Sequence, residues 1–233
     1  MKYSISLTCY KRLDYLKIVM DSIKKSAEYC NIYPDIYVSI DYYNNDIPEY
    51  IEKISWTNVI YSINRPNLGC NANTLQAMTQ VCSKSNDEAF LHLEDDTPIT
   101  KDALSYYANL LDRYQDDENI LSITGYNKTP YLNPQEIDKT IDHVFFTAWG
   151  CAFWKKKMSP IFNNWIPIFT NQNIGMSWDS HINEFIYQKN GYKEIRPVIS
   201  RIQNIGSENG SWVPSANWHY DNQRTPYTMD DLL

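Results

Sequence analysis

Along the first half of the chain, two hydrophobic periods take turns. Tyr3 to Cys9 is a β-rich run. After Tyr10-Lys11-Arg12, the residues Leu13, Leu16, Met20, Ile23 and Ala27 recur three and four apart, which is the apolar stripe of an amphipathic helix. Asp35 to Asp41 predicts a second strand, and Asn58 to Ile63 a third. A helix follows with Leu68, Ala72, Leu75, Met78 and Cys82 on one side. Ala89 to Leu93 is a short apolar run bounded by turn signals, the mark of a buried strand. Lys101 to about Tyr114 predicts a helix with Leu104, Tyr107, Leu111 and Tyr114 inward, and Ile120 to Thr124 a further strand. Strands alternating with helices predict an α/β fold, a mostly parallel central sheet with helices on both faces.

From about Tyr126 the pattern loosens. Asn127 to Asp142 reads as a polar loop and Val144 to Phe153 as an aromatic-rich run around Gly150. Lys155-Lys156-Lys157 reads as a solvated helix face, and Ser159 to Gly175 is rich in Trp, Phe, Pro and Asn. Trp178-Asp179 opens a helix to Asn190 with Ile182, Phe185 and Ile186 inward. Ile195 to Ile205 is extended, and the tail from Ser207, with Trp212, Trp218 and His219, is loop-like. With no internal repeat or low-complexity linker, 1–233 is a single domain. Residues 1–125 form its first half, and 126–233 shape the site for a second substrate.

Composition narrows the function. A net charge of −7 argues against a general nucleic-acid binder, which needs a basic stripe. Five scattered cysteines (Cys9, Cys30, Cys70, Cys82 and Cys151) show no metal spacing and read as reduced thiols. No apolar run approaches the roughly 18 residues of a membrane span, and Met1-Lys2 leads directly into a strand. The expectation is a cytoplasmic protein, in which the triplets Asn127-Lys128-Thr129 and Asn209-Gly210-Ser211 are chance matches to a glycosylation signal.

The candidate chemistry centres on Glu94-Asp95-Asp96, three carboxylates at the end of an apolar strand. A packed core gains nothing from them. They suit a hard divalent cation, Mg2+ or Mn2+, which shares one or two protein carboxylates with substrate phosphates; the plainer alternative is a solvated acidic turn. Ligands of parallel sheets bind at the carboxyl ends of the strands. Cys9-Tyr10, Asp41, Asn64-Arg65 and Glu94-Asp95-Asp96 all fall at such ends.

Taken in order, Tyr10-Lys11-Arg12 after a strand, Asp41, Asn64-Arg65-Pro66-Asn67-Leu68-Gly69 before a helix, and Glu94-Asp95-Asp96 resemble a glycosyltransferase of the GT-A (Rossmann-like) fold. Within that fold the chain is similar to family 2 enzymes and to the N-acetylglucosaminyltransferase I type. Ser122 to Asn127, Trp149-Gly150, Trp178-Asp179 and Ile195 to Arg201 match the latter. The resemblance covers roughly Tyr3 to Gly206. It departs in a short second half and in the lack of a membrane anchor, so neither donor sugar nor acceptor carries over.

The resemblance implies a metal-dependent, inverting transfer of a sugar from a nucleotide diphosphate, UDP above all, to a hydroxyl of a glycan or other acceptor. Asp96 would ligate Mn2+ or Mg2+, with His219 completing the shell. Glu94 and Asp95 would meet the sugar and the ribose, and Asp41 would accept the N3–H of uracil. Arg65 would pair with a phosphate or with Asp95. Thr8, Cys9, Tyr10, Arg12, Asn64 and Asn71 belong to the same donor site. Asp179 would be the catalytic base, and Trp149, Gly150 and Trp178 would meet the sugar or acceptor, with Trp154 and Trp212 as further apolar faces. Each has a structural alternative: a turn acid for Asp41, a helix cap for Asn67 or Asp179, core packing for Cys9, His92 and most of the tryptophans. Two other functions stay open: a non-catalytic nucleotide-sugar-binding module, and a nucleotidyltransferase. The latter would want a glycine-rich phosphate loop, and Thr8 to Leu13 contains no glycine.

Overall fold

In the computed structural model, residues 1–42, 46–129, 136, 138–163, 177–207, 213–226 and 228–231 are described. The triplet at 209–211, Trp212 and most of the aromatic stretch at 159–175 lie outside them. The strands are β1 (Tyr3–Cys9), β2 (Ile36–Ile40), β3 (Val59–Ile63), β4 (Ala89–Glu94), β5 (Ile120–Thr124), β6 (Thr140–His143), β7 (Cys151–Trp154) and β8 (Lys193–Pro197). They form one sheet in the order β3-β2-β1-β4-β7-β5-β8-β6. β6 and β7 run against the other strands. The mostly parallel sheet expected from the sequence is therefore present.

Both faces are covered, and each strand shows why. In β1, Ile5, Leu7 and Cys9 join α1 (Leu13–Cys30) and α4 (Ala103–Arg113) in the larger core. Strand residues of the other parity face α3 (Cys70–Lys84) and α5 (Trp178–Ile182), a face of aromatic rings mixed with buried polar groups. The polar groups are paired: Ser6 with His92 Nδ1 (3.1 Å), Ser39 with Asn73 (2.7 Å) and Ser122 with Glu194 (2.9 Å). Burial on both faces hides the period-2 signal in β1 and β2, as in parallel sheets generally. α1 stops at Asn31, whose left-handed φ of 52° lets its N–H reach Ala27 O.

Several expectations need correction. The polar loop contains β6, an edge strand paired with β8, whose exposure explains its polar sequence. A short helix, α2 (Asp46–Ile51), went unread between β2 and β3. Lys155–Lys157 is not a free solvated face. Lys155 Nζ donates to Ser85 O, and Lys157 Nζ donates to the carbonyls of Tyr114, Asp117 and Ile120 while lying 3.9 Å from the Trp154 ring centroid. The helix from Trp178 turns π-helical over Asn183–Gln188. The tail holds α6 (Ala216–Asn222), capped by Ser215 Oγ accepting from Trp218 N.

Candidate active site

β3, β2, β1 and β4 are neighbours running the same way, so their carboxyl ends form one continuous edge. That edge brings Asp41, Tyr10, Arg12, Glu94, Asp95 and Asp96 together. Asp41 is buried, and its carboxylate accepts the backbone N–H groups of Leu68 (2.7 Å) and Gly69 (2.8 Å). It thereby anchors the turn into α3. Gly69 takes φ 79° at the N-cap position, a conformation that favours glycine, while Asn67 Oδ1 also accepts from its N–H. Asn64 is held inside this corner, donating to Asn73 Oδ1 (2.9 Å). At the rim, Tyr10 and Tyr42 meet edge-on, with the Lys11 ammonium near both rings. Tyr42 had drawn no notice in the sequence.

Arg12 is the cation of the site. It occupies the N-cap position of α1, where the helix dipole disfavours positive charge. What holds it there is a pair of carboxylates: Nη2 contacts Asp95 Oδ1 closely and lies 2.8 Å from Asp96 Oδ2. Burial works against the Arg12 charge, and Asp96 and Asp95 outweigh it. Burial also pushes the Glu94 carboxyl above the usual carboxylate range, helped by Asp96, Asp95 and Asp179 and opposed by Arg12. Asp95 moves the same way, from burial and then Asp96, with Arg12 pulling it back. Two buried atoms in this cluster, Arg12 Nη1 and Asp96 Oδ1, have no hydrogen-bond partner among the described residues. The orphaned Asp96 oxygen suits a divalent cation. Among the described residues, no group of three His, Cys, Asp or Glu side chains is arranged to hold an ion alone. A cation at Asp96 would therefore draw ligands from substrate phosphate as well.

The expected base reaches the same cluster from the second half of the chain. Asn71 Oδ1, in the first turn of α3, accepts the N–H of Trp178 (3.0 Å) and ties the start of α5 to the start of α3. Asp179 is half-buried there and within electrostatic reach of Glu94. Cys70 sits at the junction, its residue surface exposed, with desolvation of the thiol and then Glu94, Asp179, Asp96 and Asp95 pushing its pKa up.

The segment after β8 closes the other side. Ile205 N donates to Asp96 O, and Gln203 N to Pro98 O. Gly206 lies against Asp96 and Arg12, where an added Cβ would collide with Asp96 Oδ2 and stand 3.3 Å from Arg12 Nη1. His219 is buried in α6, its Nε2 2.8 Å from Asn204 Oδ1. Asn204 Oδ1 also accepts from Gly206 N, so Nε2 carries the His219 proton. Burial lowers the His219 pKa and Asp96 opposes it. Neither Asn204 nor Gly206 had drawn notice, because nothing in their spacing marks a site.

The remaining expected residues divide. Thr8 and Cys9 are buried at the carboxyl end of β1, Thr8 in register with Glu94 and Cys9 O accepting from Asp41 N (2.9 Å), and Arg65 is exposed. Trp178 is 3 % exposed, its ring against His92 and Phe146, so it has no face left for a sugar. Trp154 is likewise core, with Nε1 donating to Leu111 O. Trp149 is half-buried and edge-on to Tyr126. Gly150, at φ 60°, is buried where a Cβ would meet Ile202 at 2.6 Å, so packing explains it. His92 is core, as its strand position suggested; burial holds it neutral, with a pKa of about 3.

No family model matches the chain, and no curated protein matches it in sequence. Solved structures do. S. aureus TarS 1–349 superposes with a TM-score of 0.56 at 13 % identity, over 87 % of this chain and 59 % of that one. The fold is that of a GT-A glycosyltransferase. A longer TarS structure gives 0.57 at 15 % identity, over 89 % of this chain and 37 % of that one. TarS 1–349 in complex with UDP-GlcNAc gives 0.57 at 14 %, over 87 % and 57 %. This chain thus spans less than two thirds of each, and identity this low carries the fold alone. Among the described residues, no helix is long and apolar enough to cross a membrane.

One acid of this GT-A sheet was missed altogether. Glu194 in β8 is fully buried; Oε2 accepts from Ser122 Oγ (2.9 Å) and Thr147 N (3.1 Å), while Oε1 has no partner. It fastens the loop that leads to Trp149-Gly150. Burial is the main cause that pushes its carboxyl up to about 8. The folded state therefore holds a proton that the unfolded chain has lost, and stability should fall as pH rises from about 4.5 to about 8. Gln keeps an acceptor for both donors and cannot ionise. Glu194→Gln should gain on wild type by a few kcal/mol between pH 5 and 8. Denaturant unfolding at both pH values measures it, and parallel profiles would count against a buried neutral Glu194.

Proposed function

We propose that the chain is a metal-dependent, inverting glycosyltransferase that moves a sugar from a UDP-sugar to a hydroxyl of a glycan or other acceptor. The observation that carries this is the edge itself: Asp41, Tyr10, Arg12 and the three acids share it, and Asp179, at a helix start tied to α3, lies within electrostatic reach of Glu94. The UDP and UDP-GlcNAc complexes of TarS, on the same fold, favour a uridine donor.

In this reading the base of UDP lies at the β1–β2 rim, against Tyr10 and Tyr42. An ionised carboxylate has about four acceptor sites, so Asp41 can take the uracil N3–H while still anchoring Leu68 and Gly69. Glu94 hydrogen-bonds a sugar hydroxyl. Arg12 offers Nη1 to a phosphate oxygen. Asp179 takes the proton of the acceptor hydroxyl as the new bond forms on the face opposite the leaving group. Asp96, with His219 nearby, would hold Mn2+ or Mg2+. The ion would supply Lewis-acid stabilisation of the departing diphosphate.

A thermal-shift screen of nucleotide sugars with Mn2+ tests the donor. A ligand at 100 times its dissociation constant should add roughly 2.7 kcal/mol of stability, and no response to any uridine nucleotide would count against the reading. Asp41→Ala sharpens it. The variant should lose on the order of 1–3 kcal/mol of stability, because the Leu68 N–H loses its acceptor and the Gly69 N–H keeps only Asn67 Oδ1. It should also bind UDP more weakly by roughly 1.5–3 kcal/mol in calorimetric titration. UDP affinity equal to wild type would leave Asp41 as an anchor of the turn only.

A further inference from the structure

The Arg12–Asp95–Asp96 cluster is only partly satisfied. One guanidinium nitrogen bridges both carboxylates, yet among the described residues the buried Nη1 of the same side chain and the buried Oδ1 of Asp96 have no partner. Asp96 is 7 % exposed, and Gly206 presses on its other oxygen. A donor and an acceptor are thus left unpaired in one buried cluster, and each such orphan costs free energy. A bare divalent cation could satisfy only Asp96 Oδ1, and it would stand beside the Arg12 charge. A bare anion could satisfy only Nη1, and it would stand beside two carboxylates. A cation and a phosphate arriving together satisfy both orphans and leave no like charges facing unscreened.

Resting on the nucleotide-sugar reading, we propose that Arg12 is a resident counter-cation that makes the divalent cation and the diphosphate bind only as a pair. Bare metal is kept out by the guanidinium. The incoming diphosphate draws the guanidinium toward itself through Nη1 and weakens its hold on Asp96. Coupling of this kind is reciprocal, so the metal must tighten the diphosphate by the same factor.

The test is Mn2+ binding, read from the paramagnetic signal of the free ion, with and without saturating UDP. Wild type should bind Mn2+ weakly alone and roughly tenfold or more tightly with UDP, within the usual range of coupling between sites. Arg12→Gln should bind Mn2+ alone roughly tenfold more tightly than wild type and gain little from UDP. The proposal is overturned if wild type binds bare Mn2+ as tightly as it does with UDP, a comparison that needs no variant. It is equally overturned if Arg12→Gln, with wild-type circular dichroism, matches wild type for bare Mn2+, or if neither protein binds Mn2+ under any condition. Inorganic pyrophosphate separates the two readings. If UDP binds neither protein while pyrophosphate still tightens Mn2+ on wild type, the nucleotide reading falls and the Arg12 coupling stands.

Discussion

Asp179→Asn is expected to leave the fold and the donor affinity near wild type and to cut turnover by roughly 10²–10⁴-fold. The reason begins with position. The start of α5 is fixed from two sides, by Asn71 Oδ1 on the Trp178 N–H and by the Trp178 ring packed on His92. The next residue therefore points from a rigid base. Helix capping does not account for it: Ser177 holds the N-cap position, and no side-chain capping bond forms there. Asn would forfeit only a first-turn dipole contribution, about 0.3–1 kcal/mol. The other acids are poorer bases. Burial and its acidic neighbours push the Glu94 carboxyl up, Asp95 and Asp96 are paired to Arg12, and Glu184 is exposed beyond the first turn. Single-turnover kinetics with saturating donor gives the rate, and titration with UDP gives the affinity. Turnover within a few-fold of wild type would move the base elsewhere, with Glu184 the next to test.

Much of the first half of the chain was legible because its physics is local. Short apolar runs such as Ala89 to Leu93 alternate with helices such as α1, and the rule that ligands sit at carboxyl ends then gathers Asp41, Tyr10 and the acids. The second half was harder for three separable reasons. β6 is an exposed edge, so its sequence carries no buried stripe. Glu194 looks like any acid between Lys193 and Ile195, and only the fold, which seals it against Ser122 and the Thr147 N–H, makes it buried and pushes its carboxyl up. Arg12 opens a helix in any reading of the sequence; its partners lie more than eighty positions away, and the loop glycine Gly206 that closes on them has no periodicity to announce it. Trp178 shows the opposite error. An aromatic beside a candidate base suggested a sugar platform, and the ring proved to be core, packed edge-on to His92 at the start of α5.

Asp96→Asn should abolish metal-supported donor binding, and the structure refines what else it does. Asp96 is not a free strand-end acid. It is buried, paired to Arg12 at 2.8 Å, and capped by Gly206. The amide oxygen of Asn can still accept from Arg12, so the fold should persist, with a stability loss on the order of 1–3 kcal/mol for the weakened charge-assisted bond. The loss of function should be far larger. Asp96 carries the one orphaned carboxylate oxygen in the Arg12 cluster, and a neutral amide is a poor ligand for a hard cation. Titration of UDP with Mn2+ present should show wild type binding and Asp96→Asn binding no better than wild type in EDTA. Thermal unfolding of both proteins without ligand separates this from a folding defect. The outcome that sinks the metal assignment is specific: full transfer by Asp96→Asn at saturating Mn2+, or full transfer by wild type in EDTA. Either would leave Arg12 as the cation that meets the diphosphate, and Asp96 as the residue that holds Arg12 in place.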